Sequence, residues 1–162
     1  MSWVRGDGLV MPFADGTFSM VTSRFAFHHL LDPASALVEM ARVCAPGGRI
    51  VVVDSAPAPD KADAFNRMEV LRDPSHVRAM PIEELRALFT RARLAEPRTT
   101  SYRLEGELES LIKRSFPLPG DDEKLRQVFT VSVEGDALGV EARREGSEIR
   151  FGYPVAILVA DR

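Results

Sequence analysis

The chain has 162 residues, of which 45% are apolar and 28% charged, a size and balance suited to one domain with a real core. Its 21 basic and 24 acidic side chains create no field that would recruit nucleic acid or an anionic membrane. A single cysteine, Cys44, excludes an internal disulfide and suits a reducing compartment.

No signal peptide is expected at the first residues, because Trp3 and Val4 are followed at once by charge and glycine. Ser19–Ser23 is a short β-branched segment and predicts a strand. Asp32-Pro33 then predicts a helix start, with Asp32 as N-cap and Pro33 in the first turn, where its missing N–H costs nothing. Leu37, Met40, Ala41 and Cys44 share one face of that helix, so Cys44 is expected to be buried and inert. Pro46-Gly47-Gly48 ends the helix, and Ile50–Val53 is an aliphatic run of the kind that forms a central strand covered on both faces. Ala56–Pro59 predicts a loop, Lys61–Leu71 and Ile82–Arg93 helices, and Arg98–Arg103 a strand. Glu107–Arg114 and Asp122–Thr130 are helical around the breaker at Pro117-Leu118-Pro119-Gly120. The last strand, Ile149–Asp161, follows a turn at Gly146, with Pro154 predicting a bulge or irregular entry. Residues 1–162 read as a single α/β domain with a mostly parallel sheet. Its longest apolar runs, Ile50–Val53 and Val155–Ala160, are too short to span a bilayer, and the expectation is a soluble cytoplasmic protein.

Several motifs along Gly6–Asp54 belong together: Gly6-Asp7-Gly8, Pro12-Phe13, Phe18-Ser19-Met20-Val21, His28-His29 with Asp32-Pro33, and Arg42-Val43 with Pro46-Gly47-Gly48 ahead of an apolar strand. In this order they resemble the class I S-adenosylmethionine-dependent methyltransferases, in the small-molecule branch that includes the quinone-biosynthesis C-methyltransferases. Phe116-Pro117 with Pro119-Gly120-Asp121, and Arg150-Phe151-Gly152-Tyr153-Pro154, extend the resemblance over nearly the whole chain. It implies a partial Rossmann-like methyltransferase fold, with helices on both faces and an antiparallel C-terminal strand pair joined by a helical insertion. In the family strand order 3-2-1-4-5-7-6, this chain supplies 4-5-7-6, and Ser2–Arg5 is the remnant of strand three.

The resemblance also implies a site at the carboxyl ends of the parallel strands. Asp7 would lie beside the adenine of S-adenosylmethionine and Gly8 would permit close approach of the backbone. Ser23 and Arg24 would lie beside the methionine portion, and His28 or His29 would face a small-molecule methyl acceptor as a polar contact or proton acceptor. Each has a plainer alternative: a turn for Asp7, solvation of a strand end for Ser23 and Arg24, and a loop-to-helix tie for the histidines. No catalytic residue is assigned. No metal is expected, since His28, His29 and Asp32 stand without further clustered ligands. His76 is expected on the surface or on a mobile lid, and the lid segment Pro57–Pro81 offers no recognisable chemistry.

Two departures from the family pattern stand out. Ser19 replaces an Asp at the start of the first strand, and the glycine-rich cofactor loop has no counterpart, since the one Gly-x-Gly is Gly6-Asp7-Gly8. The expectation is therefore an N-terminally truncated methyltransferase, inactive or weak as given. The alternative is a non-catalytic dimerisation or regulatory domain of the same descent. A hydrolase of the doubly wound type lacks its Gly-x-Ser-x-Gly elbow here. Met20, Val21 and Thr22 form an edge without charge or proline, which predicts a homodimer.

Overall fold

Strand β5 (Glu148–Asp161), the last in sequence, lies in the middle of the sheet and decides the architecture. A computed structural model describes residues 2–162. In chain order the elements are β1 (Phe18–Arg24), a single 3-10 turn (Phe27–His29), α1 (Pro33–Val43), β2 (Cys44–Ser55), α2 (Ala62–Arg72) and α3 (Ile82–Arg91). They continue with β3 (Arg98–Glu107), α4 (Leu108–Lys113), α5 (Asp121–Ser132), β4 (Arg143–Glu145) and β5. The sheet order is β1-β2-β5-β3, with β4 paired to the start of β5. This is the 4-5-7-6 arrangement that the motifs imply, with α4 and α5 as the insertion between its antiparallel partners β3 and β5.

Local chemistry explains the first helix. Asp32 accepts a hydrogen bond from the Ser35 N–H at 3.0 Å and Pro33 occupies the first turn. Leu37, Met40 and Val43 are buried, whereas Ala41 is only half-buried. Cys44 falls one position past the helix, as the first residue of β2, and is fully buried. Burial raises its thiol pKa, which favours the protonated thiol over the thiolate.

Side-chain alternation along β5 distributes the core over both faces of the sheet. Ala156, Leu158 and Ala160 join Ile50 and Val52 of β2 against Leu37 and Met40 of α1 and Leu85, Leu88 and Phe89 of α3. Ile149, Phe151, Tyr153 and Val155 point to the second cluster, built with Phe65 and Met68 of α2 and Leu125 and Phe129 of α5. Strand β2 pairs with β5 only from Val155 onward, while β3 pairs with it from Arg150. The β3–β5 arm therefore runs past the carboxyl end of β2, and α2 and α5 pack on that extension.

Three expectations are corrected. The sheet is mixed, since only β1 and β2 run parallel; β5 inserts antiparallel to both neighbours. Pro154 makes no bulge, because it continues the regular register opposite Arg103. Its carbonyl accepts from Ala56 N–H on the β2 side, where β2 has just ended, so its missing N–H removes no ladder bond. Residues 2–5 form no strand; the nearest pairing is an isolated bridge between Asp7 and Val10. Among the described residues β1 pairs with β2 alone, which makes it an edge, and Met20 on it is 53% exposed.

Gly48 lies where β1, α1 and β2 meet. A Cβ there would stand 2.8 Å from the Ala45 carbonyl, from Cys44 Sγ and from the Ser19 carbonyl. Two of these are backbone atoms held in place by the sheet, so Gly48→Ala is expected to cost about 1–3 kcal/mol in urea denaturation. Gly135→Ala, which meets no atom within 4 Å, is expected to leave stability nearly unchanged.

Candidate functional site

Strand β2 delivers one carboxylate, Asp54, to the carboxyl end of the sheet, where it is 1% exposed. Its Oδ2 accepts from the N–H groups of Phe27 (2.8 Å) and His28 (3.4 Å), and its Oδ1 from that of Ser55 (2.7 Å). The fourth donor is the His28 ring, whose Nδ1 lies 2.5 Å from Oδ1. A buried carboxylate needs such donors, and here they draw the 3-10 turn onto the end of β2. Reaching that turn from β1 requires a left-handed backbone at Phe25 (φ 51°), unusual for a non-glycine residue. The Phe25 N–H donates to the Val53 carbonyl at 2.8 Å, which holds this conformation.

The other side of the site comes from the segment after β2. On α2, Glu69 is 3% exposed and accepts from the Tyr153 hydroxyl (2.7 Å) and from the Arg72 guanidinium (2.8 and 3.0 Å). Burial, together with the adjacent Glu69 charge, pushes the Tyr153 phenol well above its usual range, so it remains a donor. His76 corrects the expectation of a surface position, since it is 6% exposed. Its Nε2 faces Asn66 Oδ1 at 2.7 Å, and burial depresses its pKa to about 4, which leaves the ring neutral at pH 7. The Val77 and Arg78 N–H groups both donate to the His28 carbonyl at 2.9 Å, clipping this segment to the 3-10 turn.

Three histidines thus converge, with ring centroids 4.3 Å apart for His28 and His29, 5.4 Å for His28 and His76, and 6.3 Å for His29 and His76. Beside them is a cavity of about 280 Å³ lined by Phe25, His28, His29, Ser55, Glu69 and Tyr153, among others. His29, half-buried, places Nδ1 near the Ser75 carbonyl (3.0 Å) and hydroxyl (3.1 Å). The pair expected to face an acceptor does border one cavity. Asp54, Glu69, Arg72 and Tyr153 were not singled out as site residues from the sequence, and His76 was expected on the surface or on a mobile lid. Their separation along the chain hid them; Glu69, Arg72 and His76 all lie within the segment Pro57–Pro81.

The positions expected to hold the cofactor form a looser group. Asp7 is exposed, and its Oδ1 accepts from Leu9 N–H at 2.9 Å, a turn within its own loop. Asp7 and Gly8 line an open groove of about 530 Å³ with Trp3, Met11, Phe13 and Phe18. A Cβ on Gly8 would meet nothing within 4 Å. Ser23 and Arg24 end β1 at the carboxyl edge but do not line that groove; the Arg24 guanidinium sits 4.7 Å above the Phe25 ring. The groove is tied to the sheet by α1. Glu39 accepts from Met11 N–H (2.7 Å) and from Arg42 (2.7 and 2.8 Å), and Arg42 donates to the Met11 and Phe13 carbonyls and to Asp15.

Residues 1–52 match a family model described as a methyltransferase domain. The chain is 38% identical over 128 residues to the uncharacterized methyltransferase YcgJ of Bacillus subtilis, covering 78% of this chain and 49% of that protein. It is 45% identical over 60 residues to a demethylmenaquinone methyltransferase of Thermus thermophilus, covering 37% and 27% respectively. The chain thus spans about half the length, or less, of the curated relatives it matches. The crystal structure of Bacillus subtilis YcgJ superimposes with a TM-score of 0.83 and 30% identity, over 97% of this chain and 69% of that one. That of a putative methyltransferase from Bacillus halodurans does so with a TM-score of 0.86 and 25% identity, over 98% and 76%.

The Glu39–Arg42 clasp has a pH signature. The hydrogen bond from Arg42, aided by that from Met11, holds the Glu39 carboxyl at about 2, against 4.5 for a free glutamate. A depressed carboxyl pKa contributes stability that is fully present above about pH 4.5 and is lost as pH falls through about 2. Denaturation between pH 6 and pH 2 is expected to show this loss, and Glu39→Gln is expected to shrink the pH dependence and loosen residues 6–15 in hydrogen exchange.

Proposed function

We propose that this chain, which belongs to the S-adenosylmethionine-dependent methyltransferase family, carries the acceptor-binding part of a small-molecule methyltransferase site. The observation that carries the reading is the His28–Asp54 pair, buried at the carboxyl end of β2, with His28 bordering a cavity of about 280 Å³. Methyl transfer from a sulfonium needs an acceptor lone pair placed in line with the methyl group, and little else from the protein. An imidazole beside the acceptor supplies a place for a departing proton, and His28 and His29 both offer one. When bound, S-adenosylmethionine supplies the electrophilic methyl group. Asp7 and Gly8 would hold its adenine, and Ser23 and Arg24 its methionine portion. The single cysteine, buried in the core, suits a reducing cytoplasmic setting.

Cofactor binding by these 162 residues alone is weak or absent in this reading. The groove at Asp7 and Gly8 is open, and no second glycine-rich turn is present to receive the carboxylate and ribose. Each lost charge-assisted hydrogen bond costs about 1–3 kcal/mol, enough in sum to move micromolar binding to millimolar. Titration calorimetry of the purified chain is expected to give a millimolar constant or no heat; a micromolar constant would show that the site is rebuilt from other residues.

The open edge of β1 favours a second reading, a homodimer in which the chain serves a dimerisation or regulatory role. Met20, Val21 and Thr22 carry no charge or proline that would blunt strand pairing, and a symmetric pair satisfies both copies at once. Light scattering is expected to give twice 17.9 kDa, and Thr22→Pro to reduce the mass to the monomer; a monomeric parent chain refutes the pairing.

A further inference from the structure

One side-chain nitrogen or oxygen among the described residues is buried and has no hydrogen-bond partner: Nδ1 of His76. Its protonation follows from the network. Asn66 Nδ2 donates to the carbonyls of Ala62 (2.8 Å) and Ala79 (3.0 Å), which orients the amide so that Oδ1 is the acceptor. That oxygen accepts from Ala79 N–H (2.6 Å) and faces His76 Nε2, so Nε2 carries the hydrogen and Nδ1 presents a bare lone pair. The same logic applies to His28. Its Nδ1 is the donor to Asp54, which leaves Nε2 as the lone-pair nitrogen.

Glu69 completes a set. Tyr153 and Arg72 make four contacts to its two carboxylate oxygens with three hydrogens. The single Arg72 Nε–H is shared between Oε1 (3.1 Å) and Oε2 (3.0 Å), so a cation would compete only with that divided bond. One ligand atom from each of His28, Glu69 and His76 lies within 4.8 Å of the other two, and all three residues are buried. Three potential donor atoms therefore cluster in the interior. A water molecule has two hydrogens to donate and cannot satisfy all three. A cation can.

We propose that His28 Nε2, Glu69 and His76 Nδ1 form a binding site for a divalent transition-metal ion of the zinc type. Two imidazoles and one carboxylate are a donor set that zinc accepts, with one position left open. In a tetrahedral zinc site the donor atoms stand about 3.3 Å apart, so closure asks for side-chain movements of about an ångström. Each imidazole is oriented by a partner on its other nitrogen, Asp54 for His28 and Asn66 for His76, as metal-bound histidines usually are. His28 and Glu69 also border the cavity of the candidate acceptor site, and with His28 Nε2 on the metal the proton acceptor of the proposed function is His29. Asp32, the ligand suggested by sequence proximity, is exposed and caps α1, and it takes no part. The site is independent of the cofactor reading, and zinc binding and S-adenosylmethionine binding fail separately.

The test uses the full chain carrying a tag without histidine, stripped with EDTA and then titrated with zinc. Inductively coupled plasma mass spectrometry after desalting is expected to find one zinc per chain, with a thermal midpoint several degrees above that of the stripped form. His28→Gln and His76→Gln are each expected to weaken zinc binding more than about 100-fold, and Asp54→Asn about 10–100-fold. His29→Gln is expected to retain the metal. X-ray absorption at the zinc edge of the unmutated chain is expected to show two imidazoles and no sulfur, which keeps the test valid if a variant does not fold. No retained zinc, undiminished binding in His76→Gln, or a shell with sulfur or fewer than two imidazoles overturns the proposal.

Discussion

A carboxylate buried at the end of a central strand must be surrounded by donors, because an unpaired charge in that position would cost several kcal/mol. Asp54 meets this requirement by collecting three backbone N–H groups and one imidazole within 3.4 Å. The consequences spread outward. The 3-10 turn is drawn onto the strand end, Phe25 adopts its left-handed backbone to reach it, and His28 is fixed in one orientation. The His28 carbonyl then anchors residues 77 and 78, which brings His76 inward over the same point.

The two sides of the site differ in how firmly they are built. Around the cavity proposed for the acceptor, His28, Asp54, Glu69 and His76 are all below a tenth exposed, and each has a hydrogen-bond partner from another element or segment, or from its own helix. On the side proposed for the cofactor, residues 2–10 are exposed throughout, and one ion pair on α1 holds the following stretch. Catalytic sites depend on orientation to within about half an ångström, and only the first of these sides is supported well enough for that.

Much of the fold was legible because it follows from local rules. The Asp32-Pro33 cap, the Ile50–Val53 run and the Pro117–Gly120 breaker each act within a few residues, and each marks the element expected of it. The family motifs added the strand order, which periodicity alone could not supply. The balance of parallel and antiparallel pairs was misjudged, because alternating strand and helix signals carry no information on where a final strand inserts. The site was only half legible. His28 and His29 stand side by side and draw notice, but Glu69, His76 and Tyr153 each look like ordinary residues of an amphipathic helix, a loop and a strand. Their convergence depends on backbone hydrogen bonds to the His28 carbonyl and on a β3–β5 arm that extends past β2, neither of which leaves a pattern in the sequence.

The central position of β5 also bears on how the molecule comes into being. Strands β2 and β3 are separated in the sheet by a strand that follows both in the chain, with α4 and α5 intervening. Until β5 docks, each presents an open row of amide and carbonyl groups, and neither hydrophobic cluster has its floor. Nearly all the pairings of β5 with β2 span about a hundred residues, so closing them carries a large loop entropy before any contact rewards it. During synthesis the earlier strands must wait for the last one, and in that interval they are the segments most exposed to pairing with the wrong chain.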